Sequence, residues 1–174
     1  MDSTKRRSPM AGVVAGAAGT AVAALLLTGC SQHDTGGQND RQDKVAERGR
    51  SVMPFDLDQT THHFTPTDTG GIQEVVADEP GDTEQIGLIR SHLRQEAKAF
   101  TRGDFGDPAR IHGHDMPGLA QLEEGYERLE VRYQKRTDGA ALTYHTEDPA
   151  LAGALHDWFE AQLSDHGDHA EGGH

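Results

Sequence analysis

Residues 129–162 read LEVRYQKRTDGAALTYHTEDPALAGALHDWFEAQ, and this stretch decides the fold class. Leu129, Val131 and Tyr133 alternate with Glu130, Arg132 and Gln134, the period of a half-buried strand. Asp138-Gly139 is a hairpin turn pair, because a two-residue turn needs positive φ that these residues tolerate. Ala140, Leu142 and Tyr144 then form the paired strand. Beyond them the period changes. Asp148 supplies an N-cap and Pro149 a first-turn proline. Leu151, Leu155, Trp158, Phe159 and Gln162 recur at helical spacing, and the helix ends near Asp165-His166-Gly167.

The same order occurs earlier in the chain. Thr60, His62 and Phe64 alternate with Thr61, His63 and Thr65 as a strand. The run 67–71, TDTGG, is a turn, and Ile72 to Ala77, with Val75 and Val76, is the return strand. Asp82 and Gln85 make a capping-box pattern. Ile86, Ile89, Leu93, Ala97 and Phe100 form one apolar stripe, which Gly103 closes. Near the helix ends the two halves match at an offset of 64: His92 falls on His156, Glu96 on Glu160 and Gly103 on Gly167. The expected fold is therefore α+β. A duplicated ββα unit would give a four-stranded antiparallel sheet with two helices packed on one face. Chance matching of two amphipathic helices explains the offset equally well. Between the halves, residues 104–118 read as an irregular connection, and a short helix is expected from Pro117 to Glu127.

The N-terminus carries a different signal. Lys5-Arg6-Arg7 is a basic head, Met10 to Leu27 is an apolar run, and Leu27-Thr28-Gly29-Cys30 closes it. That order describes a secretory signal peptide, and the run is short for a membrane span. The Leu-Thr-Gly-Cys tetrad resembles the lipobox of bacterial lipoproteins. The resemblance implies cleavage before Cys30 and acylation of its thiol, so that the membrane becomes a partner through a lipid anchor on Cys30. The expected organisation is a signal peptide over 1–29 and a lipidated Cys with a flexible polar tether over 30–51. A single α+β domain over 52–166 and a flexible His-rich tail over 167–174 follow. The expected location is extracytoplasmic, on the outer face of the cell membrane. Cys30 is the one cysteine of the chain, so an internal disulfide is excluded. A formal charge of −13 disfavours nucleic acid as a partner.

Eleven histidines stand in 174 residues, all after the signal segment. His92 and Glu96 lie one helical turn apart on the flank of the apolar stripe, and His156 and Glu160 repeat the arrangement. The run Ile111-His112-Gly113-His114-Asp115-Met116-Pro117 is the densest group of donors. His62 shares a strand face with Phe64 and points inward. These positions suggest a transition-metal site of His92, His112 and His156, with His62, His114 or Met116 as further ligands. Imidazoles suit Zn and Cu, and a thioether favours Cu(I). No HExxH or paired CxxC motif accompanies them. The alternative is that each histidine bonds a nearby carbonyl or carboxylate and is structural or pH-responsive. No G-x-S-x-G elbow, Walker loop or G-x-G-x-x-G is present. A small hydrolase or transferase is the third reading, with His112 and nearby aspartates doing acid–base work.

The motifs MPFDL, TTH at 60–62, IRSHL, RGDF, IHGHDMPGL, ALHDWF and the final DHG together resemble an uncharacterised family of small actinobacterial proteins. Some members carry the label aspartate carbamoyltransferase. The Ser-Thr-Arg-Thr loop and His-Pro-x-Gln segment of transcarbamylases are both missing from this chain. The resemblance therefore implies no activity. The leading expectation is a cell-envelope lipoprotein whose His-rich domain binds a transition metal as a buffer, sensor or delivery module. The runner-up is a non-enzymatic interaction lipoprotein.

Overall fold

The computed structural model describes residues 35–173. The signal peptide, the lipobox and Cys30, together with His33 and His174, lie outside the described residues. Helix α1 spans Thr35–Val52, followed by strands β1 (Thr60–Thr67) and β2 (Gly70–Ala77) and helix α2 (Thr83–Phe100). Two short helices, α3 (Gly106–His112) and α4 (Leu119–Gly125), make the connection. Strands β3 (Glu130–Lys135) and β4 (Gly139–His145), helix α5 (Pro149–His166) and a short strand β5 (Ala170–Gly172) complete the chain.

The α+β class is as expected, and the sheet is larger than expected. It has five strands in the order β3-β4-β2-β1-β5. The four long strands are antiparallel, with Val75 of β2 opposite both His62 of β1 and Ala140 of β4. The fifth strand pairs parallel to β1, His62 against Ala170 and Phe64 against Gly172. Composition had marked residues 167–174 as a loose tail. The correction has a backbone cause. The outer edge of β1 would otherwise stand unpaired, and Gly167, at φ 55°, reverses the chain after α5 so that it returns along that edge.

Alternation works as the strand pattern predicts. Thr60, His62 and Phe64 are buried while Thr61, His63 and Thr65 are half-exposed. On α2 the Asp82 carboxylate accepts from the backbone N–H of Glu84 and Gln85 at 3.1 and 3.0 Å. Gln85 does not close the capping box on Asp82. Its Oε1 accepts instead from Asp56 N at 2.9 Å, tying the segment before β1 to the start of α2. On α5 Asp148 accepts from Ala150 N at 3.0 Å. The core centres on Trp158, which is fully buried. It meets Phe100, Phe105 and Tyr144 edge-on at 6.1, 6.2 and 6.1 Å. Such pairs each contribute about 0.5–1.5 kcal/mol beyond burial. Tyr144 also contacts Phe100, so α2 and α5 both meet the sheet at this ring.

Two further segments depart from expectation. Part of the connection over 104–118 is helical, as α3, and ends on His112. Gly118 takes φ 75° there, and a Cβ would fall 1.9 Å from the Ala154 carbonyl oxygen, so only glycine lets this chain run so close to α5. From Thr35 on, the polar stretch read as a tether is helix α1, and it belongs to the same compact unit as the other described residues. An isolated helix of this composition is marginal in water. It is held by tertiary contacts. Val45 is buried in the core, Gln42 Nε2 donates to Ser164 O at 2.9 Å, and Arg48 Nη1 donates to Ile111 O at 3.3 Å. Arg41 donates to Asp165. A count of apolar residues cannot register anchoring by polar side chains.

Candidate functional site

The elements around Trp158 bring several buried polar groups to one place. β1 contributes His62 by alternation. α2 contributes His92 and Glu96 from the edge of its apolar stripe. α3 ends on His112, and the last turn of α5 contributes Gln162 and His166. All six line one interior cavity of about 20 Å³. A cavity needs roughly 10–15 Å³ to hold one water. This one takes a single water-sized occupant and has no room for an organic substrate.

The rings are in contact. His62 and His166 are stacked, centroids 4.8 Å apart and planes at 14°. His112 meets His166 edge-on at 5.0 Å. His92 stands one ring further off, with Phe55 between it and His62 at 5.6 and 5.8 Å. Burial drives the His62 imidazole down to about 3, helped by His92 and His112, while a hydrogen bond with the His169 backbone works the other way. Burial also holds His166 well below its ordinary range, with His62, His112 and His169 adding to the effect. His92 is lowered by burial, against a smaller opposite pull from Asp107. These three rings are therefore neutral at pH 7, the form that carries a ligand lone pair. Glu96 moves the opposite way, from 4.5 up to about 8, through burial and then the nearby Asp107. The His92 Nε2 and Glu96 Oε1 atoms are 3.6 Å apart. With both groups neutral this contact is not an ion pair.

His112 is held differently. Its Nδ1–H donates to Asp165 Oδ2 at 2.9 Å, and both side chains are almost fully buried. Burial tends to raise the Asp165 carboxyl, but hydrogen bonds from His112 and Arg41 outweigh it and hold the group below its usual range. An ionised carboxylate only accepts, so Nδ1 carries the hydrogen and, in the neutral ring, Nε2 carries the lone pair. This is the carboxylate–histidine pairing that orients metal-ligating imidazoles.

Two buried nitrogens of cavity-wall residues, His62 Nδ1 and Trp158 Nε1, have no hydrogen-bond partner among the described residues. Leaving a buried donor or acceptor unmade costs about 1–3 kcal/mol. Among the described residues no group of three or more His, Cys, Asp or Glu side chains stands ready to hold a metal ion. The stacking explains this. Imidazole lone pairs lie in the ring plane, so two parallel rings cannot aim nitrogens at a point between them.

Of the six metal ligands expected from the sequence, His62, His92 and His112 come together. The other three do not. His156 Nε2–H donates to the Thr67 and Gly70 carbonyls at 3.0 and 2.9 Å and closes the turn between β1 and β2. Its helical position matches His92 in sequence but faces the hairpin end. His114 is exposed, because Gly113 turns the chain outward after α3. The Met116 side chain is 4 % exposed and part of the apolar core, away from the cavity. His166 and Asp165 were missed. They continue the stripe of Leu155, Phe159 and Gln162 by one more turn, but their place in a His- and Gly-rich segment disguised it. No family model, curated protein or solved structure matches the chain. Among the described residues no helix is long and apolar enough to cross a membrane.

Proposed function

We propose that this domain binds one transition metal ion, Zn(II) or Cu(II), between His62, His112 and His166, with His92 at the edge of the site. The observation that carries the reading is the Nδ1 of His62, without a hydrogen-bond partner among the described residues, on a cavity the size of a single ion walled by imidazoles. Rotation of the His62 or His166 ring about χ2 unstacks the pair and turns a lone pair into the cavity. That torsion is broad and two-fold, so the cost of the movement lies in the packing around the ring and not in the torsion. An ion held after such a rearrangement suits buffering, sensing or delivery. The ring nitrogens suit Zn(II) and Cu(II), Met53 adds a thioether to the same wall, and Met116 sits in the core away from it.

The lipobox reading places the domain on the outer face of the membrane, carried by acylated Cys30. Mass spectrometry of the mature chain tests that part. The duplication reading is supported by the central antiparallel pairing of β2 with β4, but His92 and His156 have diverged in use. The second reading, a non-enzymatic lipoprotein with a structural His-lined core, is favoured by the stacking of His62 on His166. Calorimetric titration of residues 31–174 with Zn(II) and Cu(II) separates the two. Saturable binding of about one ion, lost in His62→Ala and His112→Ala, supports the metal reading. Absence of such binding leaves the structural core.

A further inference from the structure

Helix α1 reaches the cavity through one arginine. Arg41 Nε and Nη2 donate to Asp165 Oδ1 and Oδ2 at 2.5 and 2.8 Å, a two-pronged contact that orients the carboxylate as well as neutralising it. Arg41 Nη2 also donates to the His112 backbone carbonyl at 3.3 Å. Asp165, 4 % exposed, is thus clasped on one side by Arg41 and on the other by His112 Nδ1–H. The guanidinium fork leaves the carboxylate one remaining task, to accept from the imidazole.

We infer that Arg41 is a positioning residue: through Asp165 it fixes the hydrogen of His112 on Nδ1 and presents Nε2 to the cavity, so that docking of α1 sets the ligating state of the site. The consequence is reciprocal. Whatever factor α1 docking adds to ion affinity, ion binding adds to α1 docking. The helix that leads from the N-terminal segment into the domain then reports, or controls, whether the site is filled. This rests on the metal reading for its ligand, but the fixing of the tautomer stands independently of any ion.

The contacts of α1 contain their own control. Arg48 also ties α1 to α3, through Ile111 O, and does not touch Asp165. Arg48→Ala loosens the helix without removing the clasp. Arg41→Ala removes the clasp, Arg41→Lys keeps the charge but loses the fork, and Asp165→Asn removes the acceptor charge. The experiment is nitrogen-15 NMR of the His112 ring in residues 31–174, followed by Zn(II) titration and amide exchange of α1. The expected result is a single Nδ1–H form of His112 in the wild type and in Arg48→Ala. Mixed forms are expected in Arg41→Ala and Asp165→Asn, and an intermediate state in Arg41→Lys. Zn(II) affinity should fall roughly 10–100-fold in Asp165→Asn, the usual cost of losing such a partner, and roughly tenfold in Arg41→Ala. Zn(II) should slow α1 exchange in the wild type. An unchanged His112 ring in Arg41→Ala, or equal changes in Arg41→Ala and Arg48→Ala, overturns the inference. If the wild type binds no Zn(II) while its tautomer still depends on Arg41, the metal reading falls and the positioning role holds.

Discussion

His62 lies flat against His166, centroids 4.8 Å apart, and its Nδ1 has no hydrogen-bond partner among the described residues. A buried ring nitrogen without a partner lowers stability, and a ligand is a reason to retain it. His62→Phe keeps a planar ring and removes the unsatisfied atom. Removing such an atom recovers about 1–3 kcal/mol, and the neighbouring cavity of about 20 Å³ gives the larger ring room. The bond between the ring and the His169 backbone is lost at the same time, so the thermal midpoint should stay roughly level while Zn(II) binding disappears. A variant that melts well below the wild type would mean that His62 holds the core together and is not strained for a ligand.

Protonation of the cavity rings gives the stability curve two limbs. His62, surrounded by His92, His112, His166 and His169, has its ordinary 6.5 depressed to about 3, and His166 and His92 are also lowered. In the unfolded chain these rings take up protons below about 6.5, while in the native core they resist. Stability is therefore fully present above that value and lost as pH falls towards 3. Glu96 faces His92 and Asp107 and lies near Tyr144, and its carboxyl is raised from 4.5 to about 8. Its contribution is present below 4.5 and lost as pH rises towards 8. Between 4.5 and 6.5 the histidines outnumber the one glutamate, so stability still climbs with pH. A maximum near pH 6–7 follows. Glu96→Gln should flatten the alkaline limb and leave the acid limb intact. Thermal melts from pH 4 to 9 check both, and an unchanged alkaline slope in the variant counts against a protonated native Glu96.

How much of this was legible depends on the kind of force involved. The four antiparallel strands, their turns and helices α2 and α5 follow from periodicity and caps, because apolar burial leaves a regular trace in sequence. His62 and His92 were found because alternation and helical spacing give a side chain its direction, and His112 because donors crowd residues 111–117. Helix α1 was hidden because Gln38, Arg41, Gln42 and Arg48 attach it by hydrogen bonds to residues more than sixty positions away, and polar anchoring has no periodic signature. His166 was hidden by its neighbours. Gly167, Asp168 and His169 have a tail's composition, yet the stripe of α5 runs through to His166.

His156 separates position in sequence from position in space. Its Nε2–H satisfies the carbonyls of Thr67 and Gly70 at the β1–β2 turn. His156→Ala leaves both oxygens to find water, at a cost of about 1 kcal/mol per hydrogen bond. The midpoint should fall by several degrees with Zn(II) affinity unchanged. Lost affinity at unchanged stability would place His156 in the site after all.

The C-terminal segment offers the sharpest contrast between composition and structure. Strand β5 pairs with β1 through residues 170–172, and Gly173 N donates to Phe64 O at 2.9 Å. The pairing lies directly over His62, whose ring also bonds the His169 backbone. Removing residues 167–174 exposes that edge of β1 and loosens the strand that holds His62 at the cavity. The truncated chain should be less stable and should lose protection from amide exchange along β1, including at His62 and Phe64. It should also bind Zn(II) more weakly, although the deleted segment supplies none of the three proposed ligands. Exchange measured residue by residue distinguishes this from simple loss of a flexible His-rich tail. A loose tail would leave β1 protection as it was and remove only weak, multiple binding.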